Sequence, residues 1–565
     1  MKRNNIAGAR ANRAEFKHPK QGREATMTDH SNTNGTGISR RRFLGTASAA
    51  SVTIAGVSIA GMPGPANAQT VGALVYAVNS INGNFEPTVW HGFGDSVITM
   101  DSLARGLTRA DFATATIEPA VAESWEVSED GTAWTFRVRE GVKMHDGRTA
   151  TAHDVMRTFN RILDPEDPTR PEGSGAIDNL GGDNLLGIEQ VDEMTVRFNL
   201  RAPDQAFPAR LSRPDMVIIS ADALEKYGAD VGKNLVSCGP FRLADVKPGE
   251  SAIVEAFPDF FGGAPTVGRV VFQVLPDPLA LTSAMLSGEV QCSNFVPHSN
   301  LDRLGQSGRV QVFEPDPYIN LFLAMNAKTP ALSDIRVRRA INLAIDRDAV
   351  IAEAFLGKAR RPAYFSTEVM MGYSPDHLRY SERNMEEAQR LLAEAGAEGT
   401  ILRMHSQNTL FWPAVGQVVE RNLRELGLEI ETRYVESGSF FGTMFDAEAH
   451  DLGLWQRSSF MPDPDGKFSP LFFSGTLSAD NTTAHTDLPI QPEMEDRILA
   501  ALSEPDREKR DVLYVELNAF IAENLMVHAM LANIYTPVAA AQGISGLNVN
   551  GMGTYRVFLE DVKPG

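Results

Sequence analysis

The stretch from Ala414 to Val435 constrains the fold most strongly, because an amphipathic helix leads directly into a strand. Before Gly427, apolar residues recur on one helical face, at Val415, Val418, Val419, Leu423 and Leu426. After Gly427, LEIETRYV alternates between apolar and polar residues, as a half-buried strand does. A helix that feeds a strand in this way is typical of α/β packing. Over 565 residues without an internal repeat, we interpret this pattern as two mixed lobes.

The first half of the chain carries strand and turn signals. VGALVYAV at 71–78 predicts a buried strand, and Asp130-Gly131 between two alternating runs predicts a hairpin. A second turn is predicted at Asp146-Gly147, followed by a helix over 151–163 that Thr151 caps. Aromatic residues alternate along the hairpin strands and are predicted to be core: Trp125, Trp134 and Phe136.

The second half is richer in helical signals. One long amphipathic helix is predicted from Asp334 to Phe355. Another is predicted from Ser381 to Gly396, a residue type suited to the left-handed cap. Three arginines of the first helix are predicted to form a solvated face: Arg336, Arg338 and Arg339.

Residues 1–68 are predicted to be an export signal with a polar N-terminal extension. SRRRFL at 39–44 resembles a twin-arginine signal, and it opens an uncharged run over 43–62. Ala66-Asn67-Ala68 follows as a small-residue cleavage site. The run is built mostly of small residues and is poorly hydrophobic for a permanent span. No cysteine follows the cleavage site to carry a lipid anchor, so we expect a periplasmic protein without one.

The charge balance excludes nucleic acid as a partner. Removal of residues 1–68 takes away ten Lys/Arg and three Asp/Glu, which leaves 43 basic and 69 acidic residues and a formal net charge of −26. Nucleic-acid affinity depends on basic side chains that meet phosphates. Cys238 and Cys292 are the two cysteines, and their spacing leaves open whether they form a disulfide.

Catalytic signatures are missing from the sequence. It contains no HExxH, no GxSxG elbow and no Walker lysine motif, and its histidines are scattered. Asp463 and Asp465 flank Pro464 in PDPDG, which could be a calcium loop, a carboxylate pair or simply a turn, and we interpret it as a turn. We therefore expect no catalytic residue, no metal and no cofactor.

Four ordered motifs together resemble a known family, the extracytoplasmic solute-binding proteins of peptide, nickel and related ABC importers (solute-binding family 5). The signature over 118–155 (EPAVAESWEVSEDGTAWTFRVREGVKMHDGRTATAHDV) comes first. It is followed by VSCGPFRL at 236–243, FLAMNAKTPALSDIRVRRAINLAIDRDAVI at 322–351, and SERNMEEAQRLLAEAG at 381–396. The resemblance spans essentially the whole chain after residue 68.

The resemblance implies a two-lobed α/β periplasmic-binding-protein fold, type II, of the large cluster with an extra subdomain. Lobe I would comprise 69–317 plus 533–565, with an inserted subdomain at about 100–235, and lobe II would comprise 318–532. Two crossing strands would form the hinge, and the lobes would close around a solute.

The resemblance also suggests a pocket wall at WQRSSFMPDPDG, residues 455–466. In peptide-binding relatives, an aspartate three residues after the tryptophan pairs with the α-amino group of the ligand. Here Ser458 follows Trp455 at that spacing, and Asp463 lies further along. A free-amine peptide is therefore in doubt as the ligand, while a blocked peptide, an opine-like conjugate, a sugar or another polar solute becomes comparably plausible. Arg457 would either meet a ligand carboxylate or form a salt bridge with an acidic surface.

Further wall residues are predicted in two aromatic loops that follow strands. They are Phe85, Trp90 and His91 in lobe I, and Asn408, Phe411 and Trp412 in lobe II. Each of them could instead be ordinary packing.

The sequence therefore predicts a non-enzymatic, monomeric binding subunit that delivers a small-molecule or short-peptide ligand to an ABC transporter permease in the inner membrane. One alternative is a nickel-type metal-chelate carrier of the same fold, with His91 or His405 as a ligand. The other is a periplasmic hydrolase, for which the sequence offers no nucleophile and base.

Overall fold

The computed structural model describes residues 73–89, 98, 102–171, 174, 176–476, 478–549 and 558–564. The predicted export signal lies outside these residues. Ala68–Gly565 form one compact unit, to which all elements below belong.

The strands are given first, in chain order. They are β1 (Leu74–Val78), β2 (Thr108–Asp111), β3 (Thr116–Pro119), β4 (Ala122–Val127), β5 (Ala133–Val138), β6 (Leu185–Gln190), β7 (Thr195–Leu200), β8 (Phe241–Lys247), β9 (Ser251–Ala256), β10 (Arg269–Val274), β11 (Cys292–Ser293), β12 (Val310–Phe313), β13 (Ile319–Met325), β14 (Ile401–Gln407), β15 (Glu429–Val435), β16 (Leu452–Arg457), β17 (His528–Ile534) and β18 (Val538–Ala541).

The α-helices pack around these strands. They are α1 (Ala152–Leu163), α2 (Ala176–Leu180), α3 (Phe207–Arg210), α4 (Ala221–Tyr227), α5 (Pro278–Ser287), α6 (Leu301–Gly305), α7 (Pro330–Ser333), α8 (Ile335–Ala344), α9 (Arg347–Phe355), α10 (Met385–Glu394), α11 (Trp412–Leu426), α12 (Ser437–Met444), α13 (Asp465–Phe472), α14 (Gln491–Ser503) and α15 (Arg507–Asn524).

Two large sheets organise the chain. A seven-stranded sheet has the order β12-β18-β11-β1-β10-β9-β8, and a five-stranded sheet has the order β15-β14-β16-β13-β17. The chain passes from the first to the second between Phe313 and Ile319, and it returns between Ile534 and Val538. Antiparallel β13 and β17 are neighbours and place Ile319 opposite Ile534. The two crossings therefore leave the five-stranded sheet side by side.

A four-stranded sheet, β4-β5-β7-β6, packs against α1 and has its own core. The hairpin predicted at Asp130-Gly131 is β4–β5, and Gly131 has the positive φ (73°) that such a turn needs. Trp134 and Phe136 are buried as predicted, whereas Trp125 is half-buried against the same core. The motif VSCGPFRL turns at Gly239, where a Cβ would lie 2.3 Å from the Leu103 carbonyl carbon.

The predicted helix-to-strand unit is confirmed. α11 ends at Gly427, which adopts the left-handed conformation with φ of 108°, and β15 follows. The apolar face of α11 lies in the large core around the five-stranded sheet. This unit positions the aromatic loop that contains Asn408 and Phe411, because α11 begins directly after that loop.

The single helix predicted over 334–355 is wrong, because the structure has two helices, α8 and α9. Asp346 starts the second helix: its side chain accepts the Ala349 N–H (2.9 Å), and its own N–H donates to Asn422 Oδ1 (2.9 Å). Likewise Ser381 ends a 3₁₀ turn, and Asn384 caps α10 instead. At Asp346 a side-chain cap interrupts an apolar period that would otherwise continue, and at Asn384 the cap lies three residues further along the chain than predicted.

The solvated arginine face is also wrong at one position. Arg336 is exposed, but Arg338 is only 2% exposed. Its guanidinium donates to the Leu525 carbonyl (2.9 and 2.8 Å), just beyond the end of α15, and to the Leu332 carbonyl (2.7 Å). Carbonyls at a helix end have no intrahelical partner, so a buried arginine can saturate them.

The two cysteines do not form a disulfide. Both thiols are free and buried, Cys292 in the core of the seven-stranded sheet and Cys238 in the core of the four-stranded sheet.

Candidate functional site

The five-stranded sheet brings two of the predicted loops to one edge. β14 runs parallel to β16, with Met404 opposite Leu452 and His405 opposite Gly453. β14 ends at Gln407 and β16 at Arg457, so the chain leaves both strands at the same edge. In open α/β sheets, ligands bind outside the carboxyl ends of such strands. We call the residues after β14 and at the end of β16 the carboxyl edge.

Trp455 and Arg457 lie on the same face of β16, because side chains alternate along a strand. Trp455 is 8% exposed and stands opposite Phe322 of β13. Its ring centroid lies 5.4 Å from that of Phe445, at an interplanar angle of 64°. Packing against Phe445 fixes the indole orientation at the carboxyl edge.

The loop after β14 contributes one exposed polar residue and two packed aromatic residues. Asn408 is exposed, and its backbone N–H donates to the Val435 carbonyl (3.0 Å). Phe411 is half-buried between Trp412 (5.1 Å between centroids) and Phe355 (4.9 Å). Trp412 is 3% exposed and begins α11. Asn408 therefore presents a polar group, and the two aromatic rings support the loop behind it.

The end of β16 carries an arginine that lacks some of its hydrogen-bond acceptors. Arg457 is half-buried, its Nη2 donates to the Gly466 carbonyl (3.1 Å), and its buried Nε has no acceptor. Burial lowers the pKa of Arg457 to about 10, and the nearby Arg213 acts in the same direction. Ser458, the next residue, is half-buried and neutral. The net charge of the side chains at this end of the strand is therefore positive.

The two acids of PDPDG are held by arginines from elsewhere in the chain. Asp463 accepts two hydrogen bonds from Arg510 of α15 (2.7 and 3.0 Å). Asp465 pairs with Arg210 of α3 (2.5 Å) and accepts a hydrogen bond from Ser469. Burial raises the pKa of Asp465, although Arg210 opposes the shift. Both carboxylates are engaged in buried ion pairs, and a solute amine would have to break the Arg510 pair to reach Asp463.

Of the three residues predicted in lobe I, Phe85 lies within the described part of the chain. Phe85 is 1% exposed and lies in the core of the seven-stranded sheet. Its neighbour Glu86 forms a buried ion pair with Arg161 of α1 (2.5 Å). Trp90 and His91 lie outside the described residues.

The sequence analysis did not predict a buried lysine that lies next to the carboxyl edge. Lys467 donates to the Tyr318 carbonyl (3.1 Å), to Asn320 Oδ1 (2.5 Å) and to the Phe365 carbonyl (3.2 Å). Asn320 of β13 in turn donates to Asn533 Oδ1 of β17 (2.7 Å), and this hydrogen bond links the two strands that adjoin the crossings. Burial lowers the pKa of Lys467 well below its usual value, with a further contribution from Arg457. A lysine within the apolar helix KFSPLFF was the available signal.

His405, the second histidine considered as a metal ligand, is buried within β14. Its ring centroid lies 6.2 Å from that of His450, both of whose ring nitrogens lie within hydrogen-bond distance of backbone carbonyls. Burial lowers the pKa of His405 to about 4, and His450 acts in the same direction. Within the described residues, no group of three or more His, Cys, Asp or Glu side chains is arranged to hold a metal ion.

A shallow surface cleft lies beside the crossing strands and contains none of the predicted wall residues. An ion pair between Arg360 and Asp316 (2.9 Å) spans it. Its lining residues are Asp316, Pro317, Arg360, Arg361, Thr367, Glu368, Tyr373 and Asn533.

Comparison with known proteins identifies the family of the chain. Residues 116–478 match the family described as bacterial extracellular solute-binding proteins, family 5 Middle. The dipeptide-binding protein of Escherichia coli (strain K12) is 26% identical over 484 residues, which cover 81% of this chain and 89% of that protein.

Two solved structures are similar in fold. DppA from Helicobacter pylori in complex with the peptide STSA aligns with a TM-score of 0.75 at 23% identity, over 86% of this chain and 98% of that one. AgaA from A. tumefaciens R10 in complex with agropinic acid aligns with a TM-score of 0.75 at 25% identity, over 87% of this chain and 99% of that one. The predicted two-lobed, mixed α/β periplasmic-binding fold is confirmed.

In the described part of the chain, no helix is both long and apolar enough to cross a membrane. The family match covers more than half of the sequence, and it includes the four-stranded sheet, the first crossing strand and the carboxyl edge. The chain belongs to the bacterial extracellular solute-binding proteins of family 5.

Proposed function

We propose that this protein is the solute-binding subunit of an ABC importer and that it captures a small peptide-like or other polar solute at the carboxyl edge. The observation that carries the proposal is the placement of Trp455, Arg457 and Asn408 at the carboxyl ends of two parallel neighbouring strands, the first two at the end of β16 and the third just after β14. An indole, a guanidinium and a carboxamide provide one apolar surface and two polar contacts of different kinds. A few placed polar groups beside aromatic walls are typical of small-molecule sites.

The two lobes are proposed to be 69–317 plus 533–565 and 318–532, with an inserted subdomain at about 100–235. The division is supported by the sheets, because the chain changes sheet between Phe313 and Ile319 and again between Ile534 and Val538. Two adjacent crossings act as a hinge, since a small change of φ and ψ in each rotates one lobe against the other.

Capture is proposed to work by closure of the lobes. A solute that contacts both lobes binds the closed state better than the open one and shifts the population toward it. Closure also removes water, so each polar contact with the solute becomes stronger. The closed form would then be recognised by a permease in the inner membrane, after export of the folded protein through the twin-arginine pathway.

The pocket wall is proposed to comprise Trp455, Arg457 and Ser458 with Asn408, Phe411 and Trp412. Phe85, Trp90 and His91 complete the prediction in lobe I, and Asp463 remains a candidate only if its pair with Arg510 opens. Ser458 offers a neutral hydrogen bond where a carboxylate would give a charge-assisted one. This chemistry favours a solute without a free α-amine at this position, and the protein acts as a monomer without catalysis or a cofactor.

Thermal unfolding of the purified protein against a solute panel tests the proposal. The panel contains free and N-acetylated di- to pentapeptides, N-(1-carboxyethyl) amino acids, oligosaccharides and nickel chelates. A solute at about 100 times its dissociation constant adds roughly 2.7 kcal/mol to the unfolding free energy, which raises the midpoint measurably. We expect N-blocked peptides, conjugates or sugars to raise the midpoint.

Matched variants locate the effect. Asn408→Ala removes an exposed polar group of the carboxyl edge, whereas Asn524→Ala removes an exposed asparagine at the end of α15. The solute-induced shift should decrease in the first variant and stay unchanged in the second. Equal shifts in both variants would contradict the proposed location, and the absence of any shift across the panel would contradict the proposed solute class.

A further inference from the structure

Buried arginines in the described part of the chain fall into two groups by what matches their charge, although Arg161 leaves its Nε and Nη1 without an acceptor. In the first, a carboxylate neutralises the guanidinium, as with Arg161 and Glu86 or Arg510 and Asp463. In the second, hydrogen-bond acceptors saturate it without a carboxylate. Arg347, for example, donates to the Met530, Asn342 and Ile345 carbonyls and to Asn342 Oδ1, at 2.6 to 3.1 Å.

Arg457 differs from both groups. Within the described chain no carboxylate lies within ion-pair distance of it, and the Gly466 carbonyl (3.1 Å) is its hydrogen-bond acceptor. Its Nε is enclosed and has no acceptor. An arginine at this depth costs free energy unless its N–H groups and its charge are matched. The formal net charge of the chain is −19, so acids are abundant, yet none is placed here.

The neighbouring charges increase this mismatch. Arg213 and Lys467 both lie close enough to interact electrostatically with Arg457. Arg213 has its own partner, Asp215 (3.0 Å), and three oxygen acceptors surround the Lys467 ammonium. Asp463 and Asp465, the next acids along the chain, are paired with Arg510 and Arg210, and Asp451 before Arg457 is paired with Arg403. Arg457 is thus the unmatched member of a cationic cluster.

We infer that Arg457 anchors a carboxylate of the bound solute. The inference rests on the proposed solute-binding function and narrows its ligand class to carboxylate-bearing solutes. A guanidinium presents parallel N–H groups that fit a carboxylate in a bidentate manner, and this pairing is stronger than a neutral hydrogen bond. Ser458 next to it adds no negative charge that would repel the anion. The end of β16 is therefore built for an anion and against a cation.

Matched pairs of compounds test this inference, because only one member of each pair carries the carboxylate. N-acetyl-alanyl-alanine is compared with its C-terminal amide, an N-(1-carboxyethyl) amino acid with its diamide, and a sugar acid with the neutral sugar. Binding of each compound to the purified protein is measured by calorimetry. We expect at least one acid to bind tenfold or more tightly than its neutral partner.

Three variants separate this role from a structural one. Arg457→Gln should abolish the preference for the acid, Arg457→Lys should retain part of it, and the exposed Arg390→Gln should leave it unchanged. Because Arg457 is unmatched, Arg457→Gln should also unfold at a midpoint no lower than the parent protein in the absence of solute.

The outcomes distinguish this inference from the proposed function. Solutes that bind equally well as acid and amide, or an acid preference that survives in Arg457→Gln, overturn the anion anchor while the solute-binding proposal stands. Binding of only cationic solutes from the wider panel overturns it in the same way. Failure of every acid and every neutral compound to bind counts against the anchor and the solute-binding proposal together.

Discussion

Replacement of Arg510 by methionine should destabilise the protein strongly, because it leaves the Asp463 carboxylate buried without a counter-ion. The two side chains are only 7% and 9% exposed, and their ion pair has contacts of 2.7 and 3.0 Å. Burial opposes the charge of Arg510, yet the Asp463 carboxylate raises the pKa of Arg510 above the usual arginine range. Removal of one partner from such a pair typically costs about 3–5 kcal/mol. The Asp465 N–H (3.0 Å) still donates to Asp463, so we expect about 3 kcal/mol.

Urea-induced unfolding, followed by circular dichroism, measures this loss. Arg390→Met is the matched control, because Arg390 pairs with Glu387 and Glu394 on an exposed helix face, where solvent screens the ion pairs and they contribute little to stability. Arg510→Met combined with Asp463→Asn removes the stranded charge and should recover much of the lost stability. A loss for Arg510→Met no larger than that for Arg390→Met would refute the account of Asp463 as a structural carboxylate.

Other consequences can be measured with single variants or reagents. Gly466→Ala should destabilise the loop after β16 and weaken solute binding in calorimetry, because the new Cβ would lie 2.0 Å from Ser459 Oγ. Burial lowers the pKa of His145 to about 4, so between pH 6.5 and about 4 the unfolded chain takes up a proton that the folded chain does not. Acidification through this range should therefore reduce the unfolding midpoint. His145→Asn should reduce the slope of the unfolding free energy against pH by up to about 1.4 kcal/mol per pH unit. The Cys238 and Cys292 thiols should resist a thiol reagent at pH 8 until denaturant is added, since burial raises the pKa of each to about 12.

Elements specified by local chemistry were predictable. The step from α11 through Gly427 into β15 depends on apolar periodicity and on one left-handed residue, both of which are visible in the sequence. The β4–β5 hairpin likewise depends on Asp130-Gly131. These signals lie within a few residues of the structure that they determine, so no knowledge of tertiary contacts was needed.

Elements decided by distant partners were not predictable. The break between α8 and α9 involves Asn422, which accepts the Asp346 N–H from 76 residues away. Arg338 is buried because the end of α15 supplies a carbonyl 187 residues along the chain. Apolar periodicity contains no information about such acceptors. It therefore predicts a continuous helix in the first case and a solvated arginine in the second.

The candidate site shows the same division. The strand order that places the loop after β14 beside the end of β16 follows from the α/β pattern only once the family resemblance is known. The pairing of Asp463 with Arg510 and of Asp465 with Arg210 joins residues 47 and 255 positions apart. Sequence spacing could therefore suggest that these acids face a ligand, but it could not show that both carboxylates already form ion pairs with arginines.

A crystal structure of the protein with a solute that raises its unfolding midpoint tests the central claim most directly. The account predicts that the solute lies at the carboxyl edge, with an apolar part against Trp455 and a carboxylate within hydrogen-bond distance of the Arg457 guanidinium. Solute bound elsewhere, for example in the cleft between Arg360 and Tyr373, would contradict the location of the site. Solute at the carboxyl edge with an ammonium group on Asp463 and a displaced Arg510 would contradict the anionic ligand class.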